Sequence, residues 1–204
     1  MPRRWWVGAA ALVVAAAVVS VTALAGRRAV DPEPGPATPG APTTPADTAP
    51  AEGFVEFRDD TAGFAVSYPR DWARLDAPDP QVVLLAAPNE SDSFLVRVVR
   101  LGMTVGAEQV PAMQRITDEI VTSSPGVELL AGPEQISLGG LPGYFYFYTF
   151  DDVPSGQQGV HSHYFMFKGD TMITLVFQAL PETDFQPLAP TFDAIANSFR
   201  VIPT

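Results

Sequence analysis

Gly139-Gly140-Leu141-Pro142-Gly143-Tyr144-Phe145-Tyr146-Phe147-Tyr148-Thr149-Phe150 decides the fold, together with the two runs that follow it, His161–Lys168 and Thr171–Gln178. Aromatic and β-branched side chains suit a pleated, packed surface, so these runs predict three consecutive strands. Turn residues separate the first two, and Gly169-Asp170 between the last two is a hairpin signal. In the first strand Tyr144, Tyr146, Tyr148 and Phe150 point one way and Phe145 and Phe147 the other. A strand that is apolar on both sides belongs in a sheet covered on both faces.

Upstream, Phe54–Phe57 and Gly63–Tyr68 read as two short strands joined by a turn at Asp59-Asp60-Thr61, the second ended by Pro69. Val82–Ala86 and Phe94–Leu101 read as two more, with Pro88–Asp92 as the turn. The period then changes. Val110, Met113, Ile116, Ile120 and Val121 mark one stripe of a helix over Ala107–Val121, with Pro111 in the first turn and Pro125-Gly126 as the stop. Val127–Leu138 predicts a strand with a break at Gly132-Pro133. Near the end, Phe185, Leu188, Phe192, Ile195 and Phe199 form a second helical stripe. Pro187 and Pro190 are expected to confine its regular part to about Thr191–Phe199, before a short last strand at Val201-Ile202. Strands, helix, strands, helix is an α+β order, a central mostly antiparallel sheet with helices packed on it.

The first fifty residues are of another kind. Trp5–Ala25 is an uncharged, mostly apolar run between Arg3-Arg4 and Arg27-Arg28. As a helix it reaches about 31 Å, enough to cross a bilayer core. Residues 1–28 are therefore expected to be an N-terminal signal anchor, a single-pass transmembrane segment in the plasma membrane, its signal-like N-terminus placing the C-terminal domain outside. The alternative is a secreted chain, cleaved near Ala25, since Ala23-Leu24-Ala25 is an A-x-A pattern. Residues 29–53 carry a proline every few positions among Ala, Thr and Gly, so this proline-rich linker is expected to stay disordered, a spacer with Thr38, Thr43, Thr44 and Thr48 as potential glycan acceptors. The folded domain is expected at 54–204.

Charge and composition exclude several functions. The last 154 residues hold 20 Asp and Glu against 8 Lys and Arg, a net charge of −12, which repels nucleic acid. There is no cysteine, hence no disulfide, thiolate nucleophile, Cys-based metal site or lipidated cysteine. No phosphate-binding loop, nucleophile elbow, dinucleotide fingerprint or zinc-protease motif occurs.

Gly63-Phe64-Ala65-Val66-Ser67-Tyr68-Pro69-Arg70-Asp71-Trp72 resembles the opening motif of the PsbP/Mog1-like family, and Phe192-Asp193-Ala194-Ile195-Ala196-Asn197-Ser198-Phe199 is similar to its C-terminal segment. The resemblance spans about Phe54–Ile202 and rests on short structural motifs. It implies an α/β/α sandwich and brings no catalytic residues with it. That family includes extrinsic subunits of the photosynthetic oxygen-evolving complex, a nuclear binder of a small GTPase, and bacterial cell-envelope proteins. A shared habit of binding proteins is what it implies for this chain.

Candidate sites are few. His161 and His163 lie two apart on one strand face, a spacing that suits two imidazoles on one metal, yet no third ligand is evident and no metal is expected. The acidic pairs Asp59-Asp60 and Asp151-Asp152 read as turn residues. No catalytic constellation or cofactor site emerges, so the chain reads as a non-enzyme. Trp72, Tyr144, Tyr146, Tyr148 and Tyr164 are the candidates for lining an apolar ligand pocket, against the simpler expectation that they are sheet core. Two functions stay open: a membrane-tethered accessory domain that binds another envelope protein, or a carrier of a small apolar, lipid-like ligand held between sheet and helices.

Overall fold

A computed structural model describes residues 49–124 and 126–203. The expected anchor at 1–28, and the linker as far as Thr48, lie outside the described residues. Among the described residues no helix is long and apolar enough to cross a membrane.

The strands are β1 (Phe54–Asp59), β2 (Phe64–Pro69), β3 (Ala73–Leu75), β4 (Val82–Ala86), β5 (Ser93–Val105), β6 (Glu128–Leu138), β7 (Leu141–Asp152), β8 (Gln157–Ala179) and β9 (Arg200–Val201). The helices are α1 (Val110–Thr122) and α2 (Phe185–Asn197), the latter entered through a 3-10 turn at Glu182–Asp184. Every strand pairing is antiparallel, as expected. The expected central sheet is present, and a second, smaller sheet accompanies it. Six elements run in the order β3-β4-β5-β8-β7-β6, and a separate three-stranded sheet is ordered β1-β2-β9.

β8 is a folded-back element. A 23-residue extended strand would hold His161 and Gln178 about 56 Å apart at ~3.3 Å per residue. Their side chains instead meet at 3.0 Å. The reversal sits at Gly169, whose φ of 58° is the left-handed conformation that glycine adopts without steric penalty. This is the hairpin that Gly169-Asp170 predicts. One arm pairs with β7 (Tyr148 opposite His161) and the other with β5 (Phe94 opposite Phe177).

Two cores occupy the two faces of the large sheet. Tyr144, Tyr146, Tyr148 and Phe165 pack with Val110, Met113 and Val121 of α1. Met166, Ile173, Leu175 and Phe177 pack with Phe192 and Ile195 of α2 and with Phe64 and Val66 of the small sheet. The alternation along β7 therefore holds, with the Phe147 ring tilted against Phe185 at 4.8 Å on the α2 side. α2 begins at Phe185, six residues earlier than the prolines suggest. Pro187 stands in the first turn, where amides have no intrahelical acceptor, so only Pro190 removes a helical bond. β3 has no sequence signature: its three residues are exposed and held by pairing with β4 alone. β6 bears out the expected break, its register slipping on either side of Ala131 and across Gly132-Pro133.

Lys168, the only lysine of the chain, ties the sheets together. Its Nζ donates to the carbonyls of Ala62 (2.8 Å) and Gly63 (3.0 Å) in the β1–β2 turn. Lys168→Met keeps the stem and deletes both bonds. It is expected to destabilise by about 1–3 kcal/mol, the value of charge-assisted hydrogen bonds, with faster proteolysis at Asp59–Gly63 as the local readout.

Candidate functional site

The polar groups with chemical potential lie under α1, on the Tyr face of the sheet. Alternation puts Tyr146 beneath the helix, fully buried, where its hydroxyl donates to Asp118 Oδ1 at 2.7 Å and meets Thr117 Oγ1 at 2.6 Å. Burial raises the phenol's pKa, and the carboxylate of Asp118 adds to the rise. The group is thus a neutral donor pinning α1 to the sheet. Tyr146→Phe is expected to cost about 1–3 kcal/mol, because it removes the donor to half-buried Asp118 and leaves the Thr117 hydroxyl with the Gln114 carbonyl alone. Urea unfolding should show a lower midpoint at unchanged slope.

Next to it, register places Tyr148 directly opposite His161 and diagonal to His163, which faces Tyr146. The Tyr148 hydroxyl lies 3.1 Å from His161 Nδ1 and 3.0 Å from His163 Nδ1. Where the protons sit follows from the far end. Gln178 Nε2 donates to the carbonyl of Ser91 at 2.9 Å, which turns Oε1 toward His161 Nε2 at 3.0 Å. Oε1 can only accept, so His161 carries its proton on Nε2 and leaves Nδ1 bare. The Tyr148 O–H then donates to His161 Nδ1, and its oxygen accepts from His163 Nδ1–H. The line of donors ends at His163 Nε2, a buried lone pair without a hydrogen-bond partner.

Both imidazoles are stacked, His161 on Phe150 at 4.1 Å and His163 on Phe165 at 4.0 Å. Burial lowers the His161 pKa to about 4, against a smaller opposing effect of Gln178. It drives His163 well below its ordinary value, and the neighbouring His161 adds to that. Both rings are therefore neutral at pH 7. Among the described residues no three His, Asp or Glu side chains converge as metal ligands. Asp152 does not approach the histidines; its Oδ2 accepts from the Ser155 amide at 3.0 Å in the β7–β8 turn.

The five aromatic candidates fall into two groups with the sheet between them. Tyr144, Tyr146 and Tyr148 are buried on the α1 side. Tyr164 packs on the α2 side against Phe145 (4.8 Å) and Phe177 (5.8 Å). Trp72, 7 % exposed, stands edge-on to Phe192 of α2 at 6.3 Å. The odd–even step from His163 to Tyr164 is what separates Tyr164 from the other tyrosines. Sequence reasoning found the histidine pair but missed Tyr148 and Gln178 as its partners. Counting outward from Gly169-Asp170 would have set Gln178 opposite His161.

Two antiparallel sheets with a helix on each face of the larger one define an α+β domain of the PsbP/Mog1-like fold. Comparison with solved structures agrees. Cyanobacterial PsbP (CyanoP) from Synechocystis sp. PCC 6803 aligns with a TM-score of 0.51 at 16 % identity, over 78 % of this chain and 96 % of that one. LpqN, a protein involved in cell envelope biogenesis of Mycobacterium tuberculosis, aligns with a TM-score of 0.51 at 15 % identity, over 80 % of this chain and all of that one. A protein from Bacteroides thetaiotaomicron aligns equally well at 13 % identity, and there this chain spans only 48 % of its length. At such identities the likeness is one of fold. No family profile and no curated protein sequence matches the chain.

Proposed function

We propose that this chain is a non-catalytic accessory domain of the cell envelope, tethered outside the plasma membrane by its N-terminal segment and acting by binding another protein. One observation carries the proposal: the polar side chains with chemical potential are spent inside the fold. Tyr146 pins α1, Tyr148 joins the histidines, and both imidazoles lie buried on aromatic rings. What the fold turns outward is an exposed strand. Support also comes from LpqN, which shares the fold and is described as taking part in envelope biogenesis. The apolar run Trp5–Ala25 and the linker after it supply the tether. The test uses full-length chain in native membranes. Protease added from outside should release the domain, membranes should resist alkaline extraction, and cross-linking should join the chain to a defined protein. Domain release without membrane lysis but with no cross-linked partner would leave the tether and remove the binding role.

A second function is favoured by His163 Nε2. A bare acceptor amid aromatic rings would receive a hydrogen bond from a hydroxyl-bearing apolar ligand under α1. Native mass spectrometry of the purified chain decides it: a retained small molecule supports a carrier, and a clean polypeptide mass counts against one.

A further inference from the structure

β6 is an edge of the large sheet, and it is unlike the other edge. β3, at the far side, is three residues long and is followed by Pro78 and Pro80. β6 has eleven residues, of which the first eight in a row are exposed. An exposed edge presents unpaired N–H and C=O groups and accepts a further strand unless something prevents it. Here the guard is local. Gly132-Pro133 breaks the register and Pro133 offers no N–H, so the run from Glu128 to Ala131 stays free to pair. That run carries apolar side chains in water: Leu129 is 44 % and Leu130 51 % exposed, and Val153 at the tip of the neighbouring β7–β8 turn is 74 % exposed.

Charge narrows the occupant. From Ile116 to Phe167 the chain has no Lys or Arg and six carboxylates: Asp118, Glu119, Glu128, Glu134, Asp151 and Asp152. Of these, Glu128, Glu134, Asp151 and Asp152 lie on β6 and β7, which carry no Lys or Arg, so this edge of the sheet is anionic. A second copy of the chain is a poor occupant. Antiparallel pairing of the Glu128–Ala131 run with itself would set Glu128 opposite Ala131 and bring two edges together that each carry Glu128, Asp151 and Asp152, so the two copies would repel.

We infer that the Glu128–Ala131 edge is the surface on which this domain takes its partner, by adding an extended segment of that protein in which Lys or Arg alternates with aliphatic residues. Backbone groups of Glu128–Ala131 pair with the segment, Leu129, Leu130 and Val153 cover its apolar side chains, and Glu128, Asp151 and Asp152 meet its cations. This deepens the protein-binding role above and rests on it.

The probe is a synthetic nine-residue peptide of alternating lysine and valine, added to full-length chain. Two controls accompany it, one with glutamate in place of lysine and one with its central valine replaced by proline, which keeps the charge but cannot form a strand. The lysine peptide should slow amide hydrogen exchange at Glu128–Ala131 by about tenfold, while both controls leave it unchanged. Glu128→Lys and Leu130→Lys, both at exposed positions, should each weaken binding by about tenfold without altering the melting temperature. The surface is overturned if the proline-interrupted peptide binds as well as the alternating one, or if protection falls elsewhere than β6. If β6 fails while membrane cross-linking still captures a partner, the surface is wrong and the protein-binding role stands. If neither β6 nor the membrane experiment yields a contact, both fall.

Discussion

Taken from pH 7 to pH 4, the domain is expected to lose about 3 kcal/mol of folding free energy through His161 alone, with His163 adding to the loss. The sign follows from the direction of the shifts. Burial lowers the His161 pKa from its ordinary 6.5 to about 4, so between these values the unfolded chain takes up a proton that the folded chain refuses. Stability is full above about 6.5, falls as the pH drops through the window, and levels off only once the folded state also protonates. Protonation has nowhere to go inside. A proton on His163 Nε2 meets no acceptor, and one on His161 Nδ1 faces the Tyr148 O–H, which already donates there. Asp92 works in the opposite sense, since burial raises its pKa against the bonds from Leu180 and Asn89, so it binds its proton more readily when folded. Urea denaturation across pH 4–7 measures the effect. His163→Phe separates it from general acid sensitivity. The variant keeps a ring on Phe165 and removes a base whose Nε2 is unpaired, so it should be nearly neutral at pH 7 and flatten part of the slope. A stability curve without slope between pH 4 and 6.5 would refute the buried neutral pair.

Gly143→Ala is expected to be strongly damaging, at about 3 kcal/mol or more. A Cβ at this position would lie 1.9 Å from the carbonyl oxygen of Phe165 and 3.1 Å from Met166 Cα. Neither can yield like a flexible side chain, because both are backbone of β8 in register with β7. The close approach lets the β7–β8 pairing run to its end under the aromatic ladder. Gly140→Ala is the matched control. It has open space around the new atom and only a positive φ of 78° to tolerate, which costs about 1–2 kcal/mol. Equal losses in the two variants would show that the steric contact at Gly143 is relieved by sheet movement.

Much of this architecture was legible in the chain because it depends on local periodicity. Alternation along Tyr144–Phe150 assigns side chains to two faces whatever the neighbours are. The stripe Phe192, Ile195 marks the buried side of α2, and Gly169-Asp170 marks where β8 turns. The anchor and linker are likewise properties of composition, and they stand as sequence inferences. Only tertiary structure decided the rest. Whether Pro187 ends or begins a helix depends on what precedes it. β3 exists because β4 lies beside it, and β1 and β2 pair with each other and with the C-terminal β9 outside the main sheet. The Tyr148–His161–His163 line requires strand register, and a shift of one residue would have turned every member to the other face. The exposure of β6 is likewise a fact of strand order: hydrophobic patterning places a strand in a sheet, but long-range pairing decides whether it lies inside or at the edge.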